Sequence, residues 1–177
     1  PLSDSFALDA IEGINKYFVK SLKTYDDVEL KGWMMISSLR SGIAYSNSGL
    51  GLAHALSLGL SSTLGLPYGV CNAISIPEVI DYNYNSATGR YNIICDKLSC
   101  KSKEKQGRKN LENLKNYLYK LMEDSGIEHP FFSRNDNVDI SQVPQLTLNN
   151  PCVVTNPRNP SVTDIDFIVK KMLEKWK

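Results

Sequence analysis

The chain has 177 residues, of which 42% are hydrophobic and 22% are charged, and its formal net charge is +1. These totals are typical of a globular chain with one good core or two small ones. The balanced charge argues against a nucleic acid or an anionic membrane as a partner, and we expect neither.

The first part of the chain is predicted to form two helices. Apolar residues recur at three- and four-residue steps over 5–22, which predicts an amphipathic helix capped by Ser3 or Asp4. Asp26 offers a cap for a second helix over 28–44. Because the polar face of this second helix is thin, we expect it to lie centrally in the fold.

The middle of the chain is predicted to form a helical hairpin. A break at 46–49 precedes a third helix, which runs from about Leu50 to 61–63, and its glycines are expected to permit close helix packing. Gly and Pro then predict a turn at 64–69. A fourth helix follows over 70–83, with a kink expected at Pro77.

The remainder is also predicted to be helical, with one loop-rich part. Two helices are expected over 87–98 and 107–125, and 128–160 is expected to be mostly loop with short helical turns. Thr163 and Asp166 fit the cap of a C-terminal helix. No strand pattern is found, so the predicted class is all-α, as a single helical domain over 1–177.

A charge-free run marks the centre of the sequence. Between Ser41 and Pro77 there is no Asp, Glu, Lys or Arg, and the only basic side chain is His54. Such a run belongs in a protein core or in a membrane. Interspersed Ser, Gly and Pro67, together with a mean hydropathy of −0.26, favour a buried hairpin over a membrane span.

His54 and Tyr68 are the side chains in this run with the clearest potential for chemistry. They are fourteen positions apart, and a helix, a turn and a returning helix would bring them close together. An imidazole and a phenol can bind a metal or orient a substrate through hydrogen bonds. They are also compatible with a satisfied core histidine and a packed tyrosine, and the spacing leaves these interpretations open. His129 is expected at the surface.

The cysteines indicate free thiols rather than a disulfide framework or a metal site. Their spacing fits neither a zinc pattern nor a CxxC motif, and they occur at 71, 95, 100 and 152. We therefore expect a reducing, cytoplasmic location. The chain begins with Pro1 directly before a helical pattern, so we expect it to belong to a longer protein.

A family resemblance then emerges from the central motif. The segment over 45–83, YSNSGLGLAHALSLGLSSTLGLPYGVCNAISIPEVIDYN, resembles the C-terminal helical domain of the iron-containing alcohol dehydrogenases, within the dehydroquinate synthase-like superfamily. That family has an F/Y-S-N-x-G-L-G-L-x-H-A run followed by P-H-G-x-x-N-A-I-L-L-P-H-V. The opening PLSDSFALDAI and the later TNPRNPSVTDIDFIVKKML also resemble family segments, so the resemblance extends from Pro1 to about Leu173.

The resemblance implies a two-domain oxidoreductase of which this chain is the helical part. In the family, an N-terminal nucleotide-binding domain, absent from this chain, meets the helical domain across a cleft. Iron or zinc polarises the oxygen of an alcohol or aldehyde, while NAD(P) accepts or donates hydride. Expected partners are thus a small alcohol or aldehyde and the nucleotide-binding domain, with a homo-oligomer as a further option. The isolated chain is expected to be inactive.

Four positions carry the family's site residues. His54 falls on a metal-binding histidine, and Tyr68 stands where the family has its last metal histidine. Tyr68 is therefore expected to be a metal ligand or a hydrogen-bond donor to the substrate oxygen. Tyr45 falls on an aromatic bordering the substrate pocket, and Leu58 stands where a second histidine near the nicotinamide is common. The family's aspartate and first histidine would precede Pro1.

Two alternatives remain beside the enzyme. One is a metal-free, non-catalytic relative with a binding or structural role, in which the pocket is retained while the metal chemistry is lost. The other is an unrelated all-α bundle.

Overall fold

Helices account for the regular structure of this protein. A computed structural model describes residues 2–102, 107–127 and 139–175, and no strand occurs in these ranges, which confirms the all-α class. None of the helices in the described ranges combines the length and hydropathy of a membrane span. The elements are α1 (Leu2–Lys23), α2 (Val28–Ser48), α3 (Gly51–Leu64), α4 (Tyr68–Lys97), α5 (Gly107–Asp124), α6 (Val143–Leu148), the 3₁₀ helix η1 (Pro151–Thr155) and α7 (Val162–Lys175).

The chain divides into two compact units, and the division falls inside α4. Unit 1 comprises Pro1–Gly49 and Thr88–Ser125, and unit 2 comprises Leu50–Ala87 and Gly126–Lys177. The backbone leaves helical angles at Ala87, with φ −141° and ψ 27°, rather than at Pro77 as predicted. Proline fixes φ near a helical value, so it removes a hydrogen bond without forcing the backbone out of the helical region.

Unit 1 begins with the packed pair α1 and α2. Asp27, not Asp26, caps α2 by accepting a hydrogen bond from the Leu30 N–H at 2.9 Å. The predicted caps of α1 lie within that helix instead, because α1 already begins at Leu2. One of them, Asp4, pairs with Arg90 at 2.7 Å.

The prediction that α2 is central to the fold is wrong within unit 1. Its buried side chains are Ser37 and Ala44, whereas Met35 is 73% exposed and Leu39 is 64% exposed. A thin polar face shows that a helix has little preference for water, but it does not show which side of the helix meets the core.

The second half of unit 1 follows the predicted pattern closely. In α5, Leu111, Leu114 and Met122 are buried along one face, as the spacing predicted. Polar contacts connect these later helices to α1, since the Tyr117 hydroxyl donates to Asn15 Oδ1 at 2.6 Å. Each unit thus joins segments that are distant in the sequence.

Unit 2 is built around α3. Leu52, Leu56 and Leu60 are fully buried along one side of this helix. The break before α3 is shorter than predicted: α2 continues to Ser48, and α3 begins at Gly51. Two glycines flank this break.

Those glycines are needed for the backbone angles of the break rather than for close packing of helices. Gly49 has φ 81° and Gly51 has φ 73°, in the left-handed region that side chains disfavour. The helix-packing role predicted for the glycines of this segment falls instead to Gly59. A Cβ at that position would lie 3.1 Å from Thr147 Oγ1 and 3.4 Å from the Val143 carbonyl oxygen, because α6 crosses there.

The first turn of α3 is capped by a distant part of the chain. Leu50 makes no side-chain cap bond. Instead, Thr155 Oγ1 accepts from the Gly51 N–H and Asn156 Oδ1 accepts from the Leu52 N–H, both at 3.2 Å. These acceptors satisfy two backbone donors that a helix start leaves open.

Asn156 also forms a reciprocal amide pair with Asn83. Nδ2 of Asn83 donates to Asn156 Oδ1 at 2.9 Å, and Nδ2 of Asn156 donates to Asn83 Oδ1 at 2.8 Å. Asn156 further donates to the Arg158 carbonyl at 2.6 Å. The amide is buried and fully used, which explains why this loop is fixed against α3 and α4.

The C-terminal helix begins earlier than predicted. Ser161, not Thr163, is its cap: Ser161 Oγ accepts from the Asp164 N–H at 3.2 Å, and Asp164 Oδ2 accepts from the Ser161 N–H at 2.9 Å. This is the reciprocal capping box, with Asp164 in the role predicted for Asp166. Two overlapping Ser/Thr-x-x-Asp patterns occur here, and the first is the one used.

The segment expected to be mostly loop contains α6 and η1 in its described part. His129, predicted to lie at the surface, falls outside the described residues.

Candidate functional site

The turn between α3 and α4 creates the candidate site. Gly65 ends α3 with φ 64° and donates its N–H to the Ser61 carbonyl at 3.0 Å. Ser61 Oγ then donates to the Leu66 carbonyl at 2.7 Å, which closes the turn. Since α4 begins at Tyr68, the chain reverses in three residues, and the predicted hairpin of helices forms.

This reversal brings His54 and Tyr68 into direct contact. The Tyr68 hydroxyl lies 2.5 Å from His54 Nδ1, and the two rings meet edge to face with centroids 5.4 Å apart. Both side chains are half-buried. Among the described residues, Nε2 of His54 has no hydrogen-bond partner, so this nitrogen remains open to a ligand.

A chain of polar side chains extends from this pair into the unit. Asn72 Nδ2 donates to the Tyr68 hydroxyl oxygen at 3.0 Å. Ser57 Oγ donates to the Ala53 carbonyl at 2.6 Å, and it also lies 2.9 Å from Asn72 Oδ1 and 3.0 Å from Ser75 Oγ. Ser57 and Ser75 are fully buried, so the chain is anchored in the core.

Asn72, Ser57 and Ser75 were not among the site residues predicted from the sequence. The signal was helical spacing: Ser57 lies one turn after His54 in α3, and Asn72 lies one turn after Tyr68 in α4. Helical spacing places each of them on the same helix face as the site residue of its own helix.

The two predicted pocket residues lie in different units. Leu58 is on α3, one turn after His54, and is 40% exposed. Tyr45 is on α2 in unit 1 and is 46% exposed. Leu58 is thus adjacent to the His54–Tyr68 pair along its own helix.

The cysteines lie outside this polar chain and are free, as predicted. Burial raises the pKa of Cys71 to about 11. The pKa of Cys95 is raised to about 12, and burial is the largest of several causes. A thiol with such a pKa is almost entirely protonated at neutral pH and is therefore a poor nucleophile.

A partly buried ion cluster links α4 to α7 in unit 2. Lys171 Nζ lies 3.2 Å from Glu78 Oε2 and also pairs with Asp81. Burial lowers the pKa of Lys171, but the hydrogen bond to Asp81 and the charges of both carboxylates outweigh it, so the pKa is raised overall. Glu78 is 4% exposed, and its charge is therefore balanced by Lys171.

The side chains that the structure describes do not form a metal centre by themselves. In the described ranges, no three His, Cys, Asp or Glu residues are grouped so as to hold a metal ion. His54 offers one imidazole, whereas catalytic zinc and iron sites use three protein ligands. The Tyr68 hydroxyl is hydrogen-bonded to Nδ1 of the same imidazole, and its role as a metal ligand stays a prediction.

The site described above lies in a helical domain with a histidine in its α3–α4 hairpin, and a comparison with known families shows which class of protein has this domain. The model of the Fe-containing alcohol dehydrogenase family, C-terminal, matches residues 1–173, so the chain belongs to this family as its C-terminal helical domain. The resemblance noted in the sequence is thereby confirmed.

Curated relatives agree with this assignment. The NAD-dependent methanol dehydrogenase of Bacillus methanolicus is 27% identical over 177 residues, covering 98% of this chain and 46% of the relative. The NADPH-dependent butanol dehydrogenase of Clostridium saccharobutylicum is 29% identical over 165 residues, covering 89% of this chain and 41% of the relative. The chain therefore spans less than half the length of these relatives.

Solved structures support the fold. An alcohol dehydrogenase from Oenococcus oeni superposes with a TM-score of 0.90 at 23% identity, over 97% of this chain and 45% of that one. A 1,3-propanediol oxidoreductase gives a TM-score of 0.88 at 22% identity, with the same coverage. At these identities the comparison establishes the helical architecture.

Proposed function

We propose that the full-length protein containing this domain is an oxidoreductase that interconverts small alcohols and aldehydes with NAD(P). The family match over residues 1–173 carries this proposal. The printed activities of the relatives, a methanol and a butanol dehydrogenase, support the substrate class. In the reaction, the carbinol carbon gives hydride to the nicotinamide and the hydroxyl loses a proton.

The nicotinamide is assigned to a nucleotide-binding domain outside this chain. The described residues are helical, and a dinucleotide fold needs a parallel sheet. We therefore expect the isolated chain to be inactive and the nucleotide-binding domain to be its principal partner. A homo-oligomer is a further expectation. Nucleic acid and membrane are not part of the proposal, and the free thiols support a cytoplasmic location.

Within this proposal, the His54–Tyr68 pair contacts the reacting oxygen. Nε2 of His54 is the open polar atom of the pair, and Leu58 adds an exposed apolar side chain one turn away. For Tyr45, a role at the substrate pocket stays a prediction that rests on its position in the family motif. An open nitrogen beside an apolar side chain suits a small alcohol.

Iron or zinc on His54 and Tyr68 is the cofactor that the resemblance implied. A metal would polarise the substrate oxygen as a Lewis acid. Because the described residues offer one imidazole and no three-ligand group, the proposal assigns no step to a metal.

A second candidate is a metal-free relative that binds a small molecule without catalysis. The contact that favours it is the hydrogen bond between Tyr68 and His54, which occupies one imidazole nitrogen at the position where the family has two metal histidines. The pocket would then retain a binding role.

Steady-state kinetics with the full-length protein separates the two candidates. We expect reduction of NAD⁺ or NADP⁺ with small primary alcohols, and a loss of about 100-fold or more in kcat/KM for His54→Gln, because a group that contacts the reacting oxygen is removed. Ser62→Ala, an exposed position on the same helix, is the matched control and should leave kcat/KM unchanged. No turnover with either cofactor across these alcohols and their aldehydes would favour the second candidate.

A further inference from the structure

We infer that Cys95 and Cys100 are a site of reversible oxidation, at which a hydroperoxide oxidises Cys100 and Cys95 then closes a disulfide with it. Both residues belong to unit 1, where α4 ends. The His54–Tyr68 pair belongs to unit 2, so this site does not depend on the proposed function.

The backbone at the end of α4 brings the two cysteines together. The Cys100 N–H donates to the Cys95 carbonyl at 2.9 Å, and the Ser99 N–H donates to the Asp96 carbonyl at 3.1 Å. Ser99 has φ 55°, in the left-handed region. These two bonds around a left-handed residue define the Schellman motif, in which the side chains at the positions of Cys95 and Cys100 commonly touch.

The side chains follow this pattern, because the two thiols share a hydrogen bond. The Cys95 thiol also has a second acceptor, the Asn110 carbonyl at 3.6 Å, and the Cys100 carbonyl accepts from Asn113 Nδ2 at 2.9 Å. Thus α5 holds both cysteines in place. Disulfide formation depends on the proximity of the sulfurs and not on the direction of these hydrogen bonds, and it requires a side-chain rotation rather than a rearrangement of distant segments.

Exposure decides which thiol reacts first. Cys95 is fully buried, whereas Cys100 is partly exposed. Burial raises the pKa of Cys100, and the hydrogen bond with Cys95 partly offsets this effect. Cys100 therefore meets the oxidant, in a slow step because little thiolate is present. The second step is intramolecular, and this proximity compensates for the low thiolate fraction of Cys95.

The chemistry balances with hydrogen peroxide as the oxidant. The Cys100 thiolate attacks one peroxide oxygen, the O–O bond breaks, and Cys100 becomes a sulfenic acid as hydroxide leaves. The Cys95 sulfur then attacks the Cys100 sulfur, the S–S bond forms, and the S–O bond breaks with loss of a second hydroxide. Two protons from the two thiols convert both hydroxides to water. The thiols lose two electrons, which reduce the peroxide.

Peptide mass spectrometry tests the pairing directly. Trypsin cleaves after Arg90, Lys97 and Lys101, so the two cysteines fall in separate peptides, 91–97 and 98–101. After treatment of the full-length protein with about 1 mM hydrogen peroxide, we expect these peptides to be linked and to separate with dithiothreitol. Cys71, which is also fully buried, should stay reduced. Cys100 oxidised to sulfinic acid beside a reduced Cys95 would overturn the inference.

Cys95→Ser tests the second step, because it removes the thiol that closes the disulfide. The sulfenic acid of Cys100 should then persist and react with dimedone at least about tenfold more than in the wild type. Equal dimedone labelling would contradict the role of Cys95. Should this variant fail to fold by circular dichroism, phenylarsine oxide, which bridges two adjacent thiols, should protect Cys100 of the wild type from iodoacetamide. Absence of protection would contradict the pairing.

Ser99 offers a matched pair of variants that tests the geometry without touching either thiol. Ser99 is exposed, so its substitution leaves the core unchanged. Glycine adopts the left-handed conformation freely, whereas a β-branched residue does so at a high cost. We expect Ser99→Gly to form the disulfide at least as fast as the wild type and Ser99→Val to form it about fivefold or more slowly. Equal rates in the two variants would contradict the dependence on the motif.

Discussion

At the scale of single residues, burial decides which thiols can react. Cys71 and Cys95 are fully buried, and burial is the main cause that raises their pKa. Cys100 and Cys152 are partly exposed. The four thiols therefore differ in chemistry although the sequence presents them as equivalent.

We predict that a thiol reagent such as iodoacetamide labels Cys152 first at pH 7.5, and Cys71 and Cys95 at least about 100-fold more slowly. A thiol with a pKa of about 11 is ionised in fewer than about one molecule in a thousand at this pH, and burial also blocks access. Mass spectrometry of digested protein over time measures each site. In urea all four should react alike, and fast native labelling of Cys71 would contradict its buried state.

At the scale of helices, close approach of α3 to α6 depends on one missing side chain. Gly59 faces Val143, Leu146 and Thr147, and Thr147 Oγ1 already donates to the Val143 carbonyl at 2.8 Å. Both partners are fully buried, so neither can move away easily. A methyl group on Gly59 would therefore be closer to α6 than ordinary van der Waals contact allows, unless α6 shifts by a few tenths of an ångström.

We predict that Gly59→Ala lowers the free energy of unfolding by about 1 kcal/mol. The cost of overpacking, about 1–3 kcal/mol, exceeds the gain in helix propensity of about 1 kcal/mol. Gly32→Ala is the matched control, since a Cβ on Gly32 in α2 would meet nothing within 4 Å and should stabilise by about 0.5–1 kcal/mol. Urea unfolding of both variants gives the comparison, and equal stabilisation would contradict the close approach.

Helix positions were predictable because local patterns determine them, whereas their ends and partners were not. The apolar spacing located α5, but the cap of α7 fell on Ser161 rather than Thr163, because two overlapping patterns compete locally. Similarly, spacing identified His54 and Tyr68 as neighbours, while Asn72 became visible only with the hairpin. The outward face of α2 could not be foreseen, since sequence does not show which side meets a core.

At the scale of the whole molecule, each unit is completed by segments from distant parts of the chain. In unit 2, Lys171 of α7 joins the two carboxylates of α4. Its pKa is raised by Asp81 and Glu78, despite the opposing effect of burial. A raised lysine pKa gives stability that is complete below the ordinary value of about 10.4 and is lost as the pH rises through the folded value.

We predict that Lys171→Met lowers the free energy of unfolding by about 1–2 kcal/mol at pH 8, because it leaves Glu78 without its cation. This is less than a buried pair usually gives, since the Lys171 side chain is 41% exposed. The difference from the wild type should shrink above pH 10.5. Urea unfolding from pH 8 to 11.5 measures it.

Lys170→Met is the control for that series. Its ammonium pairs with the exposed Asp166 one turn away, and such surface pairs contribute about 0.5 kcal/mol or less. A difference from the wild type that stayed constant across the pH range for Lys171→Met would contradict the role of its charge.

The cap on α3 has a consequence for biosynthesis. The backbone N–H groups of Gly51 and Leu52 donate to the side chains of Thr155 and Asn156, which lie 104 positions later in the chain. On the ribosome, the helix bearing His54 emerges before Thr155 and Asn156, so its two cap bonds form only after those residues have been translated. A product that ends before Thr155 therefore lacks both cap bonds at the start of the helix that carries His54.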